Sequence, residues 1–234
     1  MQPTAGSSTA ETAPAAFYFD LVSPLAYLAA EQVLHVLPGP VEWQPVLARE
    51  LSDRVQERER KTETETERMR REEALRADVA RWADELGLQR LRWPSPFPFD
   101  STLAMRAATY AKSIGRTVGF AQAAFRQAFA GGRSLGEPDS VLIAAAACEM
   151  HPAAVLKGAE LASVQAQLSA ATRAAAKVGV SEVPAVRMGE RVFQGESSLS
   201  DAAAHMGEAM RAAQTDATVS GAGGILPLTP PRAR

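Results

Sequence analysis

The sequence predicts an α/β protein in which a large all-helical insertion interrupts a small sheet domain. Three observations lead to this fold class: a βαβ pattern in residues 16–48, a ββα pattern in residues 179–214, and helical patterns alone in residues 49–178. The 234 residues, 46% of them hydrophobic, suffice for one domain with an insertion or for two small domains. Residues 1–15 and 215–234 are rich in small and polar residues and in proline, and we expect both tails to be disordered.

The βαβ pattern begins with the stretch AFYFDLVSPLAYL at residues 16–28. Its aromatic run predicts a buried strand that ends near Asp20, after which Ser23 stands at the N-cap of a helix and Pro24 at its first residue. The first helical turn directs unpaired N–H groups and the positive end of the helix dipole towards Ser23, which favours an anion such as a thiolate. Taken alone, the Ser-Pro pair also fits a serine that only caps the helix.

A second strand completes this unit. The helix is expected to run to the Pro-Gly-Pro sequence at residues 38–40, and VEWQPV at residues 41–46 then alternates apolar and polar side chains as a strand does. Pro45 lacks the N–H that a central strand needs, so the strand should lie at a sheet edge or end there. Two strands joined through a helix are expected to be parallel.

The insertion begins with an abrupt change in composition. Charges of opposite sign recur three or four residues apart over residues 49–86, which predicts a long solvated helix that ends at Gly87. Because residues 49–71 have few apolar positions, we hypothesise that they form a mobile charged helix or lid.

The rest of the insertion combines a proline-rich loop with helices. The loop, residues 92–100, carries Trp93, Phe97 and Phe99, which either wall a pocket or pack on the core. Five Ala-rich segments with helical spacing follow, at residues 101–114, 118–130, 139–150, 152–165 and 167–178.

The strand pattern returns only near the end of the chain. Residues 184–188 and 191–193 read as two short strands, and Gly189 and Glu190 between them have the composition of a tight hairpin turn. A last helix is expected to run from Ser198 or Ser200 to Ala213.

Composition argues against several classes of function. The chain has 25 Lys and Arg against 27 Asp and Glu, so we expect neither nucleic acid nor an anionic membrane as a partner. The single cysteine, Cys148, lies in an apolar run typical of a buried helix, and the three histidines share no ligand spacing that would indicate a metal site. The sequence shows no secretory signal and no membrane span, which predicts a cytoplasmic location.

Four stretches carry a resemblance to a known family. They are FYFDLVSPLAYLA at residues 17–29, FPFDSTLAMRAATYA at 97–111, FRQAFAGGRSLGEPDSV at 125–141 and GVSEVPAVRMGERVFQGE at 179–196. In these stretches and in their order, the sequence resembles the DsbA-like branch that contains 2-hydroxychromene-2-carboxylate isomerases and kappa-class glutathione transferases. The resemblance implies a thioredoxin-like fold, formed by residues 16–48 and 179–214 around the helical insertion.

The resemblance also implies a site. In the thiol-disulfide oxidoreductases of this fold, the turn after the first strand is CxxC, whereas here it is Ser-Pro-Leu-Ala from Ser23, so two-thiol exchange is unavailable. The family instead implies that Ser23 hydrogen-bonds the sulfur of bound glutathione and that the backbone at Val183 and a cis-Pro184 pairs with the tripeptide. Glu196 and Ser197 fall where the family holds the γ-glutamyl end of glutathione.

The sequence departs from the family pattern at three places. Ser197 stands where an Asp is usual, and Glu196 or Asp201 could replace the missing carboxylate. Leu25 stands where an aromatic residue is frequent. The charged residues 49–71 replace a segment that contributes an Asn and a basic residue to the family's site.

The function implied by the resemblance is a glutathione-dependent isomerase acting on an aromatic or conjugated carboxylate. A substrate pocket is expected from Pro24, Trp93, Phe97 and Phe99. A kappa-like glutathione transferase and a non-catalytic protein that binds a thiol or a peptide are the alternatives. The family, together with the small residues on the first two Ala-rich helices, also predicts a homodimer.

Overall fold

The computed structural model describes residues 14–37, 39–51 and 63–221, with side chains described as far as Arg211. The expectations for residues 1–13, for residues 52–62 of the charged segment and for the tail from residue 222 lie outside these ranges.

Four strands form one sheet. They are β1 (Ala15–Phe19), β2 (Val41–Pro45), β3 (Ala185–Met188) and β4 (Arg191–Gln194), in the order β2-β1-β3-β4. β1 and β2 are parallel, as predicted for the βαβ unit, and Pro45 is the last residue of an edge strand. β3 is antiparallel to β1 and to β4, so the predicted hairpin is confirmed. β1 starts at Ala15, inside the stretch for which we expected disorder.

Helices occupy most of the remaining described residues. α1 (Pro24–Val36) and the short α2 (Ala48–Leu51) follow β1 and β2. The helical block then contains α3 (Glu65–Glu85), α4 (Thr102–Ser113), α5 (Thr117–Phe125) with a π-helical turn that continues it (Arg126–Ala130), α6 (Pro138–Ala147), α7 (Pro152–Glu160) and α8 (Ala162–Lys177). α9 (Ser198–Gly221) follows the sheet. Within the part of the chain that the structure describes, no helix combines the length and the apolar character that a membrane span requires.

Three helix boundaries differ from those expected. The break between α7 and α8 falls at Leu161, whose backbone is extended (ψ 130°), and not near residue 166. α9 continues past Ala213 to Gly221, because neither Gly nor Pro interrupts residues 212–220. In the described part of the charged segment, α2 ends at Leu51 and α3 begins with a capping box formed by Thr64 and Glu67.

The sheet is covered on both faces. On one face Phe17 packs edge-on against Trp43, with ring centroids 5.0 Å apart, in the same apolar cluster as the buried residues of α1. On the opposite face Tyr18 shares a second cluster with Ala175 of α8. α8 therefore covers the sheet directly, although the sequence pattern places it in the insertion.

The inserted helices and the sheet share the first of these clusters. Phe19 of β1 and Tyr27 of α1 lie 5.9 and 6.1 Å from Phe125 of α5, measured between ring centroids. Tyr27 also stacks on Phe129 in the π-helical turn, at 5.6 Å. The insertion and the sheet are thus packed around one continuous core.

Candidate functional site

Three hydrogen bonds hold Ser23 at the N-cap of α1. Its N–H donates to the Asp20 carbonyl at 3.0 Å, and its Oγ accepts from the Ala26 N–H at 3.1 Å. Its own carbonyl accepts from the Tyr27 N–H at 3.1 Å, and Pro24 is the first helical residue. The predicted N-cap serine is confirmed, and its Oγ lies at the positive end of the α1 dipole.

The Ser23 hydroxyl also reaches the segment before β3. Its Oγ donates to the Val183 carbonyl at 3.3 Å, and the peptide bond between Val183 and Pro184 is cis. The Pro184 carbonyl accepts from the Gly195 N–H at 2.9 Å. The β1–α1 turn, the cis-proline and the segment after β4 therefore meet at one place.

The β1–α1 turn and the residues before the cis-proline border a pocket of about 450 Å³, here called the Ser23 pocket. Its lining includes Ser23, Val183 and Phe99, which the sequence analysis assigned to the site, and Asp20, Arg49 and Glu182, which it did not. Pro24 was expected to line a substrate pocket, but it is buried at the start of α1 and does not border this one.

Arg49 is the one cation among the described residues that line the Ser23 pocket. Its guanidinium donates to Asp100 Oδ1 at 3.1 Å, and both side chains are more than half exposed. Hydrogen bonds from Thr102, followed by the charge of Arg49, hold the pKa of Asp100 below its usual value. Because an ion pair this exposed contributes little stability, Arg49 can exchange Asp100 for an anionic ligand at low cost.

Asp20 is the buried charge of the same pocket, with only 1% of the residue exposed. Its Oδ1 accepts from the Val22 N–H at 3.2 Å and its Oδ2 from the Ala48 N–H at 2.9 Å. Burial raises the pKa of this carboxyl above its ordinary value, and the Ala48 N–H, the Ser101 side chain and the Val22 N–H oppose that rise.

A second pocket, of about 720 Å³, lies where the ends of α1 and α3 face the β4–α9 connection, and we call it the Glu196 pocket. Much of its lining is apolar and comes from α1, α3 and α9, namely Val36, Trp82, Leu86 and Leu199. Glu196 and Ser197, predicted to bind the cofactor, also line it. Glu182 borders both pockets, so the two are neighbours.

The charged groups of the β4–α9 connection have partners of their own. Glu196 lies 3.6 Å from the guanidinium of Arg81 in α3, and both side chains are about half exposed. Ser197 Oγ donates to Asp201 Oδ2 at 2.7 Å. Of the two carboxylates that could replace the family's Asp, only Glu196 lines the pocket.

The proline-rich loop contributes one aromatic residue to the site, Phe99. Trp93 and Phe97, which were also expected to wall a substrate pocket, border neither of these two pockets. The two rings pack edge-on at 4.9 Å and both contact Phe129, while the guanidinium of Arg76 lies 4.3 Å from the Trp93 ring centroid. Trp93 and Phe97 pack on the rest of the protein because Phe129 offers these rings an apolar partner and Arg76 offers them a cation.

The four charged residues that line the Ser23 pocket, Asp20, Arg49, Asp100 and Glu182, were not predicted from the sequence as site residues. Asp20 did carry a signal, since a carboxylate directly after a buried strand stands at the strand end where α/β proteins bind ligands. Arg49 carried none, because it is one of many charges in the segment predicted to be solvated. Glu182 is brought to the site only by the turn before the cis-proline.

The described residues contain no group of three or more His, Cys, Asp and Glu side chains arranged to hold a metal ion. Cys148 is half-buried at the end of α6, where its Sγ contacts the Ala144 carbonyl at 3.4 Å. Burial raises the pKa of this thiol, which keeps it protonated and makes it a poor nucleophile.

Comparison with known proteins agrees with this geometry. A family model described as a DSBA-like thioredoxin domain matches residues 16–207. Among solved structures, a 2-hydroxychromene-2-carboxylate isomerase aligns with a TM-score of 0.75 at 17% identity, over 86% of this chain and 98% of its own. The thioredoxin-like α/β fold with a helical insertion is thereby confirmed.

Two further structures show the breadth of the similarity. A probable DsbA oxidoreductase from Streptomyces coelicolor aligns with a TM-score of 0.61 at 18% identity, over 92% of this chain and 93% of its own. The cytosolic disulfide reductase DsbM from Pseudomonas aeruginosa, solved with GSH, aligns with a TM-score of 0.55 at 13% identity, over 85% and 99%. No curated protein matches the chain. At these identities the solved structures establish the fold alone.

Proposed function

This chain belongs to the family of DSBA-like thioredoxin domains, and from that membership we propose that it is a glutathione-dependent isomerase of the 2-hydroxychromene-2-carboxylate isomerase type. Its substrate would be an aromatic or conjugated carboxylate. The observation that carries the proposal is the Ser23 hydroxyl, which lies at the N-terminus of α1 and bonds the Val183 carbonyl. A hydroxyl in this position serves as a donor to a thiolate, whereas disulfide exchange needs two cysteines and the chain has only Cys148.

Ser23 is the residue that would favour the ionised sulfur of glutathione. Its hydroxyl now donates to the Val183 carbonyl at 3.3 Å, which is long for an O–H···O bond. Turning the hydroxyl towards a thiolate exchanges this weak bond for a charge-assisted one, while the Ala26 N–H keeps its bond to Oγ. The positive end of α1 acts in the same direction, so both features lower the pKa of a bound thiol.

The backbone at Val183 and the start of α9 would hold the rest of the tripeptide. The Val183 N–H has no hydrogen-bond partner among the described residues, so it is available to a peptide carbonyl. Because Glu182 borders both pockets, an extended ligand can pass from the Ser23 pocket to Glu196. There the N–H groups that begin α9 suit a carboxylate and Glu196 suits an ammonium group, and a γ-glutamyl end carries both.

Arg49 and Phe99 are the residues we assign to the organic substrate. Arg49 would leave Asp100 for the substrate carboxylate, and Phe99, which is 7% exposed, offers an apolar surface in the same pocket. Glutathione, when bound, supplies a thiolate that adds reversibly to a conjugated double bond. The chain itself would orient the substrate through Arg49 and keep the sulfur ionised through Ser23.

One observation favours a second candidate, a non-catalytic protein that binds a thiol or a peptide. Three carboxyl groups line the Ser23 pocket, those of Asp20, Asp100 and Glu182, against the single guanidinium of Arg49. This excess of acidic groups opposes the approach of a thiolate. A kappa-like glutathione transferase would share the thiolate site and differ in releasing the substrate joined to glutathione.

Thermal unfolding in the presence of glutathione tests the proposal. A ligand that binds only the folded protein adds about 2.7 kcal/mol of stability at a hundred times its dissociation constant. Ser23→Ala is the site variant, and Ser113→Ala is its control, because the Ser113 hydroxyl donates to the Tyr110 carbonyl at 2.7 Å and lines neither pocket. An unshifted wild-type midpoint would overturn the proposal.

Product analysis then separates the remaining functions. Isomer formation at constant glutathione supports the isomerase, consumption of glutathione supports the transferase, and binding without conversion supports the non-catalytic protein.

We also propose that the protein is a homodimer in the cytoplasm, as its family predicts. Ile114, at the end of α4, is 48% exposed and Ile143, in α6, is 40% exposed. Large apolar side chains such as these are suited to burial against a second copy.

A further inference from the structure

Asp20 lines the Ser23 pocket, but the ligand binding proposed above gives its carboxyl group no role. It is 1% exposed and has no ion-pair partner among the described residues, since the neighbouring Arg49 bonds Asp100 instead. A buried carboxylate without a cation is costly, and such groups concentrate at functional sites. Its hydrogen bonds show what it does there.

The Asp20 side chain joins the two segments that carry the polar residues of the pocket. Its Oδ1 bonds the N–H of Val22, the residue before Ser23, and its Oδ2 bonds the N–H of Ala48, the residue before Arg49. The Asp20 carbonyl also accepts from the Ser23 N–H. Because α2 has only four residues, it is too short to fix the direction of Arg49 by its own hydrogen bonds.

We propose that Asp20 is a positioning residue of the Ser23 pocket, whose ionised carboxylate holds Ser23 and Arg49 where one ligand meets both. The identity of that ligand rests on the proposed function, whereas the two hydrogen bonds of Asp20 do not depend on it.

The ionised form is required because both carboxylate oxygens accept an N–H. An asparagine offers one acceptor oxygen and one NH₂ group, so either Val22 or Ala48 would face a second donor. Protonation likewise turns one oxygen of Asp20 into a donor. Burial raises the pKa of Asp20 and so favours the neutral form. The Ala48 and Val22 N–H groups, Ser101 before α4 and Arg49 from α2 face the carboxylate and favour the ionised form.

Amide exchange followed by NMR tests the two hydrogen bonds without any ligand. In Asp20→Asn we expect one of the two amides, Val22 or Ala48, to face the NH₂ group and to exchange about tenfold faster, as the loss of one hydrogen bond to a charged group predicts, with β1 unchanged. Asp100→Asn is the matched control, since it makes the same change at a carboxyl of the same pocket that bonds neither amide. Equal exchange in wild type and Asp20→Asn would overturn the proposal.

Calorimetric titration with glutathione tests the consequence for the site. We expect Asp20→Asn to bind about tenfold more weakly than wild type at neutral pH. As pH falls from about 7 to about 4, wild-type affinity should decrease towards that of the variant, because Asp20 takes up a proton; Asp100 and Glu182 are present in both proteins and cancel in the comparison. Parallel pH profiles would refute the assignment. If wild type shows no affinity at all, the proposed function fails, and amide exchange alone decides the role of Asp20.

A second variant keeps the charge and removes one partner. Ala48→Pro deletes the N–H that bonds Oδ2, and proline is well accepted at the first residue of a helix. Should Asp20→Asn fail to fold, unchanged affinity for glutathione in Ala48→Pro would count against the proposal, and a loss of about tenfold would support it.

Discussion

Replacing Ser23 by alanine removes one oxygen that takes part in two hydrogen bonds. The bond from the Ala26 N–H, at 3.1 Å, caps α1, and its loss is expected to lower the free energy of unfolding by about 1 kcal/mol. The bond to the Val183 carbonyl is longer, at 3.3 Å, and adds little to that cost. We therefore expect the variant to fold, which leaves its chemistry open to measurement.

The effect on a bound thiol should be larger than the effect on folding. A hydrogen bond to a charged acceptor is worth about 1.5–3 kcal/mol, and one pKa unit corresponds to 1.36 kcal/mol. The pKa of glutathione bound to the Ser23→Ala variant should thus rise by about one to two units. The fraction of thiolate at neutral pH, and with it the turnover, should fall, by at most about ten- to a hundredfold. Part of the activity should return at higher pH, where glutathione ionises without help.

The assay follows the thiolate absorbance of bound glutathione against pH, together with the rate of isomer formation. Urea unfolding checks that Ser23→Ala is folded, and Ser113→Ala, remote from both pockets, should match wild type. Ser23→Cys should not create disulfide oxidase activity, because it supplies no partner cysteine. If Ser23→Ala changes neither the absorbance nor the rate, Ser23 is only a helix cap and the site assignment must be abandoned.

Three further predictions concern stability and assembly. A Cβ at Gly158 would lie 2.4 Å from the Tyr110 ring, so Gly158→Ala should destabilise the α4–α7 contact by about 1–3 kcal/mol in urea unfolding, and unchanged stability would contradict this packing. Ser198 Oγ is buried without a hydrogen-bond partner among the described residues, so Ser198→Ala should raise the free energy of unfolding by about 1 kcal/mol, and a decrease would show that the hydroxyl is satisfied. Sedimentation at micromolar concentration should give the mass of a homodimer, and a monomer mass would exclude it.

Local signals in the sequence were enough to predict the strands and the position of Ser23 at the start of a helix. The aromatic run before Ser23, the Ser-Pro helix start and the Gly-Glu hairpin turn each depend on a few adjacent residues, and each appears where the pattern put it. The resemblance of residues 179–196 to the family implied a role for Val183, which the fold brings to Ser23. Phe99, which was expected either to wall a pocket or to pack on the core, is buried and also borders the Ser23 pocket.

The rest of the site depends on contacts between distant segments. Trp93 lies in the same proline-rich loop as Phe99, and the contacts of its ring, with Arg76 and Phe129, come from distant segments. Asp20 is next to Ser23 in the sequence, yet its role comes from Ala48, which is 28 residues away. No periodicity reports such pairings, because they are set by how β2 and α2 lie beside β1.

The continuous core that joins Phe19 and Tyr27 to Phe125 and Phe129 has a thermodynamic consequence. Unfolding of either the sheet or the inserted helices would expose aromatic rings that pack against the other part. The two should therefore unfold in a single cooperative transition. Excising the insertion would leave a sheet without the apolar partners of its aromatic residues. A substitution far from Ser23, such as one that loosens α5, should therefore change the population of protein with an intact pocket, and the inserted helices serve as part of the scaffold that keeps Ser23 in place.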